Sequence, residues 1–334
     1  MSIKIKDLAK QLNLSVATIS KALNDSHEIS PETKQRVFDL AKKLNYTPNP
    51  YASSLRNRSS KTIAVVLPEV ADSFFSLAIN GIESVAHDKG YHVLIYLTHE
   101  SFEREEAILK EFQSGRVDGI LISVSGETCN SDHIKEVIAA GMPLVFFDRV
   151  CEDVETAKII TDDFESSYNA TCHLLKAGCK KIAYLSTSAA LSINNKRKEG
   201  YMQALADNGV KNTSRIISCT SDNEGNYKII RDLLKKKDRP DGLIASVEKL
   251  TTPIYLACED LKLSIPREIK VVSFTNLPAA MILTPTLTTV TQPAFEMGKA
   301  AAVVLFKSLE KRNYNLKKEI TIIPSVLTIR NSAT

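Results

Sequence analysis

The sequence predicts a small all-α helix-turn-helix head followed by an α/β core of two doubly wound parallel-sheet lobes. Three observations predict it. The first ~45 residues hold three apolar stripes at helical spacing, with cap residues at their starts. From Thr62 onward, short apolar runs alternate with helical stripes. Some nine such runs over ~270 residues exceed one comfortable doubly wound domain. The 334 residues, 43% apolar and 25% charged, are ordinary for a globular chain.

In the head, Ile5, Leu8, Ala9 and Leu12 form the stripe of a first helix over Lys4–Gln11. A short turn leads to Ser15, a good N-cap for a second helix. Ile19, Ala22 and Leu23 make its inward face. Val16, Ala17, Thr18, Ser20 and Lys21 lie opposite, small or hydrogen-bonding side chains with one cation. That combination suits a helix entering a DNA major groove, where short side chains permit close approach to base edges. Ser30 caps a third helix and Pro31 takes its first position, where a missing N–H costs nothing. Val37, Leu40, Ala41 and Leu44 are its buried stripe. A generic three-helix bundle is the alternative reading of these stripes.

Charge is unevenly placed. Residues 1–61 hold eight lysines and three arginines against five acidic residues, a balance of +6. The whole chain is +4, so the remainder is −2. A basic head on a faintly acidic body fits phosphate binding by the head. The six cysteines include no C-x-x-C pair, which points to reduced thiols rather than a zinc site or disulfide framework. The six histidines have no metal spacing, and there is no P-loop, G-x-G-x-x-G or G-x-S-x-G. No cofactor is expected. With no signal peptide and no apolar run near membrane length, the expected place is the cytoplasm, on the nucleoid, away from membranes.

In the core, strands are expected at 62–68, 91–98, 119–124, 144–147, 181–185, 215–219, 242–246 and 269–274. Helices are expected at 75–89, 103–114, 133–140, 163–177, 196–208, 223–236, 252–261 and 299–309. Runs such as Ile63–Leu67 are apolar throughout, as a sheet covered on both faces requires. The lobe boundary falls near Ile160–Asp163, and the last helix and strands cross back between lobes.

These residues carry a resemblance. Ile5–Ala9, Leu14–Asn24, Ser30–Thr33 and Tyr46–Arg56 are similar to the lac-repressor (LacI/GalR) family of bacterial transcription regulators. Leu287–Pro293, Glu296–Gly298 and Leu327–Arg330 extend the likeness to the end of the chain. The resemblance implies a homodimer without cofactor that binds a pseudo-palindromic double-stranded operator, most often as a repressor. It implies a hinge helix within 47–61 whose leucine, here Leu55, wedges into the minor groove. It adds Asn24, Asn49, Ala52 and Arg56 to the DNA-contacting set. It also implies a core like periplasmic sugar-binding proteins, allosterically controlled by a carbohydrate-type effector. The domains then read as a head at 1–46, a hinge at 47–61, a first lobe at 62–161 plus about 292–320, and a second at 162–291 plus about 321–334. No C-terminal heptad segment follows, so dimers rather than tetramers are expected.

Ligands of open α/β sheets bind beyond the carboxyl ends of the strands. Those positions supply Asp72, Ser73, Phe74 and Phe75, then Asp148 and Arg149, then Glu248, then Thr275 and Asn276. Asn194, Asn195 and Arg197 are expected in the loop before the 196–208 helix, and Gln292 at a crossover. Carboxylates and amides pair with adjacent hydroxyls, and an aromatic face covers a pyranose. The alternatives are that Phe74 and Phe75 turn into the core and that Arg149 pairs with Asp148. Arg197 corresponds to an arginine that commonly contacts effector in the family. Two departures stand out. Val247-Glu248 replaces the family's Asn-Asp, and Ser273–Asn276 replaces its Gly-Phe-Asp-Asp. The missing carboxylate at Thr275 leaves Arg149 and Arg197 less neutralised, which predicts an acidic effector such as a sugar acid or sugar phosphate. Lys21 also replaces a common arginine, offering a point donor in place of a fork. Control by a protein partner and an α/β sugar-processing enzyme are the competing functional readings.

Overall fold

The computed structural model describes residues 3–46, 59–187, 191–210, 215–220, 222–311 and 314–334, with Lys318 described by its backbone alone. The chain divides into two compact units, Met1–Ser60 and Lys61–Thr334.

The first unit holds α1 (Ile5–Leu12), α2 (Val16–Leu23) and α3 (Pro31–Lys43). Asn13 closes α1 in the left-handed region at φ 53°, which an asparagine tolerates, and so turns the chain towards α2 within three residues. Ser15 caps α2 by accepting from the Thr18 N–H at 3.0 Å. Ser30 caps α3 in the same way, and Pro31 stands at its first position. Leu8, Ile19, Ala22 and Val37 are fully buried at the centre, with Leu23, Leu40 and Leu44 packed around them. Each buried leucine, isoleucine or valine contributes about 1.5–3 kcal/mol.

The second unit contains two six-stranded sheets. The first is built from β1 (Thr62–Leu67), β2 (His92–Leu97), β3 (Gly119–Ile122), β4 (Leu144–Phe147) and β5 (Lys158–Ile160), closed at one edge by β11 (Ile320–Ile322). Its order is β11-β5-β4-β3-β1-β2, all parallel. The helices α4 (Ser73–Asp88), α5 (Phe102–Phe112), α6 (Asp132–Ala139) and α11 (Ala294–Glu310) accompany it. The second sheet has β6 (Ile182–Ser186), β7 (Arg215–Ser218), β8 (Gly242–Ala245), β9 (Lys270–Phe274), β10 (Thr288–Thr291) and β12 (Val326–Thr328), in the order β12-β10-β9-β8-β6-β7. With it go α7 (Asp163–Lys176), α8 (Ser192–Asp207), α9 (Asn223–Lys235) and α10 (Thr251–Asp260). The chain passes between sheets three times, after β5, after β10 and after β11.

Three expectations need correction. Strand β12 runs antiparallel to β10. It follows β11 after only three residues, too few for a helical crossover, so it enters the second sheet from the ends where the parallel strands finish. Strands β5 and β10 were absent from the expected strands, the first being three residues long with a lysine at its start and the second a four-residue run of three threonines and a valine. Helix α8 begins at Ser192, so Asn194, Asn195 and Arg197 lie on a helix rather than in a loop. This helix packs closely on α7, because a Cβ at Gly200 would stand 2.1 Å from the Phe164 carbonyl oxygen. At Gly298 a Cβ would stand 2.0 Å from the Ala78 carbonyl, which lets α11 lie against α4.

Candidate nucleic-acid interface and interlobe cleft

On α2, Ser15, Val16 and Ala17 are exposed, and Thr18, Ser20 and Lys21 half-buried. The Ser15 and Thr18 hydroxyls share a hydrogen bond at 2.8 Å, so two of the expected contact residues also cap the helix. Lys21 forms an ion pair with Glu28, whose carboxyl is held below its usual range by that lysine. Asn24 closes α2 and donates through its side-chain amide to the Ser20 carbonyl at 2.8 Å. Asn49, Ala52, Leu55 and Arg56 lie outside the described residues.

In the second unit, Asp72, Phe74, Phe75, Asp148, Arg149, Arg197, Glu248, Thr275, Asn276 and Gln292 line one cleft between the sheets. Asn195 does not. It lines a separate cavity on the other side of the Val150–Leu191–Ile193 seam. Phe74 and Phe75 meet edge-to-face at 5.3 Å and both face the cleft and belong to the core, so the two readings of this pair hold together. Asp148 sits at φ 60°, a strained conformation held by the amide of Gln292, which donates to it at 3.0 Å.

Both arginines are neutralised, which overturns the premise of an acidic effector. Arg197, 2% exposed, donates Nε to Asp163 and Nη1 to the Ser246 carbonyl, each at 2.6 Å. Its guanidinium stacks on Phe274 at 4.2 Å. Arg149 pairs with both oxygens of Glu100, at 2.8 and 3.1 Å, while Asp148 stands farther off at 3.9 Å. Burial raises the Glu100 carboxyl, but the Arg149 charge and its hydrogen bonds, with the Gly126 N–H and Lys249, together outweigh that and leave it below its usual value. Asp72, Asp148 and Glu248 add three carboxylates to the lining. Arg197 Nη2 and Arg149 Nε have no hydrogen-bond partner among the described residues, and these are two donors a hydroxyl can meet. Sequence reasoning missed Glu100 and Asp163. Glu100 lies just past β2, where the strand-end rule applied to the other strands reaches it. Asp163 stands at the lobe boundary.

Glu248 is the hub of the cleft. One of its oxygens accepts from the Ser73 N–H at 3.0 Å and the Ser73 hydroxyl at 2.7 Å. The other accepts from the Thr275 hydroxyl at 2.6 Å and the Asn276 N–H at 3.0 Å. The carboxylate thus ties α4 of one lobe to the end of β9 in the other. Lys249 follows, 3.6 Å from Glu69 and 4.0 Å from Glu100. The space left inside is about 30 Å3, a water's share of volume. Burial, with Glu248 beside it, pushes the Asp72 carboxyl up to about 6. The described residues contain no cluster able to hold a metal ion and no helix long and apolar enough to cross a membrane.

Known proteins share this plan. The model for periplasmic binding proteins and the sugar-binding domain of the LacI family matches residues 60–330. The model for bacterial regulatory proteins of the lacI family matches residues 4–49. The chain is 29% identical over 328 residues to the transcriptional regulator RegA of Clostridium saccharobutylicum, covering 96% of this chain and 98% of that one. It is also 29% identical over 328 residues to the ribose operon repressor of Halalkalibacterium halodurans, at 98% and 96% coverage. A LacI-family regulator from Enterococcus faecium with bound ribose superposes with TM-score 0.73 at 25% identity, over 81% of this chain and 98% of that one. The lac repressor dimer bound to operator and an anti-inducer shares the fold at TM-score 0.86 and 20% identity, over 100% and 99%. A capped helix-turn-helix unit and a two-sheet binding core, both matched along their length, make this chain a member of the LacI family of DNA-binding bacterial transcription regulators.

Proposed function

We propose that this regulator is a repressor that binds a pseudo-palindromic operator as a homodimer and releases or tightens on it according to a neutral carbohydrate in the interlobe cleft. The observation that carries the effector reading is the convergence of Asp72, Asp148, Arg149, Arg197, Glu248, Thr275 and Gln292, drawn from both sheets, on one buried space. Carboxylates, an amide and two spare guanidinium donors suit hydroxyl groups. The surplus of carboxylates disfavours a sugar acid. Ribose repressors and a ribose-bound family member among the relatives support a sugar as the class. A sugar is far larger than the present space, so it must part the lobes or displace Glu248 from Ser73. That links occupancy to lobe closure, and the link is reciprocal with operator affinity.

On DNA, Ser15, Val16, Ala17, Thr18 and Ser20 face base edges in the major groove, with Asn24 at the end of the same helix. Lys21 exchanges Glu28 for phosphate or base. Asn49, Ala52, Leu55 and Arg56 enter this reading through the family resemblance alone. The work is binding rather than catalysis, carried out in the cytoplasm on nucleoid DNA.

Fluorescence anisotropy on DNA selected from a random library tests both halves. The expected result is a bound palindrome whose affinity changes with one neutral pentose or hexose and not with its uronic acid. Failure to select any palindrome sinks the operator reading, and a response to the acid alone sinks the neutral-effector reading.

A further inference from the structure

Beside the cleft lies a second interlobe cavity of about 380 Å3, within the range of small-ligand pockets. Val150, Leu191 and Ile193 belong to one apolar cluster. The first two face this cavity and Ile193 faces the cleft, so the two spaces lie on opposite sides of one seam. One wall is the pair of loops after β3 and β4, and the other is the first two turns of α8. Ser192 donates its hydroxyl to the Val150 carbonyl at 3.3 Å and Lys196 meets Glu152 at 2.7 Å, so the walls are already joined at one edge.

The loop wall is held by a charge that neither the head nor the cleft uses. Glu105 is fully buried. Its carboxylate accepts from the Ser125 N–H at 2.7 Å and the Thr128 hydroxyl at 2.9 Å, and lies 2.9 Å from His133 Nε2. A buried charge of this kind is seldom a net gain in stability, and here it fixes the shape of a wall. The lining includes the aliphatic side chains of Val124, Val150 and Leu191 and the amides of Asn130 and Asn195, whose oxygens accept from the Asp132 N–H at 3.3 Å and from Lys198 Nζ at 3.4 Å. Its acidic groups differ in use. Glu152 is paired with Lys196, and Asp153 with Lys135. Glu199 has no ion-pair partner among the described residues.

We propose that this cavity is a second small-molecule site, taking an amine-bearing polyol of amino-sugar class. The amides meet hydroxyls, the aliphatic side chains meet the ring carbons, and the ammonium meets Glu199. With Glu152 and Asp153 paired to lysines, Glu199 is the carboxylate left over in the lining, and it disfavours sugar acids. A ligand here touches both lobes and therefore favours this arrangement of them, a second input to the DNA response. Only that last step rests on the proposed function.

Cys129 lines the cavity and is exposed, whereas burial pushes the neighbouring Cys151 thiol up to about 12, so alkylation marks Cys129. The test is the rate of Cys129 alkylation in the full chain, mapped by peptide mass, with glucosamine, glucose and glucuronate titrated in. Glucosamine should slow it several-fold, glucose less and glucuronate not at all. Glu199→Gln and Asn195→Leu should each weaken the protection by glucosamine. The inference is overturned if glucosamine gives no protection, or if both variants are protected as well as the wild type. Operator binding followed in parallel separates the two readings. A sugar that shifts DNA affinity while glucosamine fails to protect Cys129 leaves the cleft reading standing and ends this one. Protection with no sugar shifting DNA affinity does the reverse.

Discussion

The two interlobe spaces share the same pair of lobes and the same kinds of polar side chain, yet one holds about 30 Å3 and the other about 380 Å3. In the cleft the polar groups satisfy one another across the gap. Glu248 takes the N–H and hydroxyl of Ser73 and Gln292 takes Asp148, while inside the second lobe Glu248 also takes Thr275 and Asn276, and Arg197 takes Asp163. In the second cavity the bridging pairs sit at one edge and leave the space between the walls open. The difference teaches that a binding site is not defined by its empty volume. A site able to grip hydroxyls can grip itself when its own side chains reach across.

Four measurements test that contrast. The largest effect belongs to Arg197→Ala, which strands Asp163 as an uncompensated buried charge. Chemical denaturation should show a loss of about 3–5 kcal/mol. A loss below a third of that would mean the pair is open to water. Next comes Glu248→Gln, which turns amide hydrogens towards two of the four donors and should weaken closure by about 2 kcal/mol. The expected outcome is a larger radius of gyration by small-angle scattering without ligand, and an unchanged radius would remove Glu248 as the tie.

A smaller effect concerns pH. The Asp72 carboxyl, raised to about 6 by burial and by Glu248, binds its proton more tightly in the closed form than when exposed. Protonation of Asp72 therefore favours closure, and that help is lost progressively as pH rises from the ordinary carboxylate range to about 6. The radius should grow from about pH 4 to about pH 6 and level off above it, and Asp72→Asn should flatten the change. A variant chain that still responds assigns the titration to another group. Smallest is Lys196→Ala at the second cavity, a partly exposed pair that should cost less than about 1 kcal/mol. A loss matching that of Arg197→Ala would erase the contrast between the two spaces.

Much of the first unit was legible because its signals are local. Ser15 and Ser30 cap the helices they precede, and Pro31 sits where its ring is harmless. In the core, apolar runs gave most strands to within a residue or two, and the strand-end rule found most of the residues that line the cleft. The expectation failed at Asn195 because helix phase, not chain position, decides which way a side chain on α8 faces. The first turn of α8 is also polar and lacks an apolar stripe, which hid the start of the helix. The partners of the arginines were missed for a related reason. Glu100 and Arg149 are 49 positions apart, and Asp163 and Arg197 are 34 apart, with nothing local to link them.

Local chemistry along the chain set the order of elements, the caps, the alternation that forces parallel sheets, and the residue types gathered at the strand ends. These depend on chemistry within a turn or two of the chain, where spacing fixes geometry. Packing in three dimensions settled who pairs with whom. It turned an expected surplus of positive charge in the cleft into neutralised arginines, bound Glu248 to Ser73 from the other lobe, and placed Asn195 across the seam from Arg197. Such outcomes depend on distances between segments far apart in the chain, and a charge has no fixed effect until its nearest opposite charge is known.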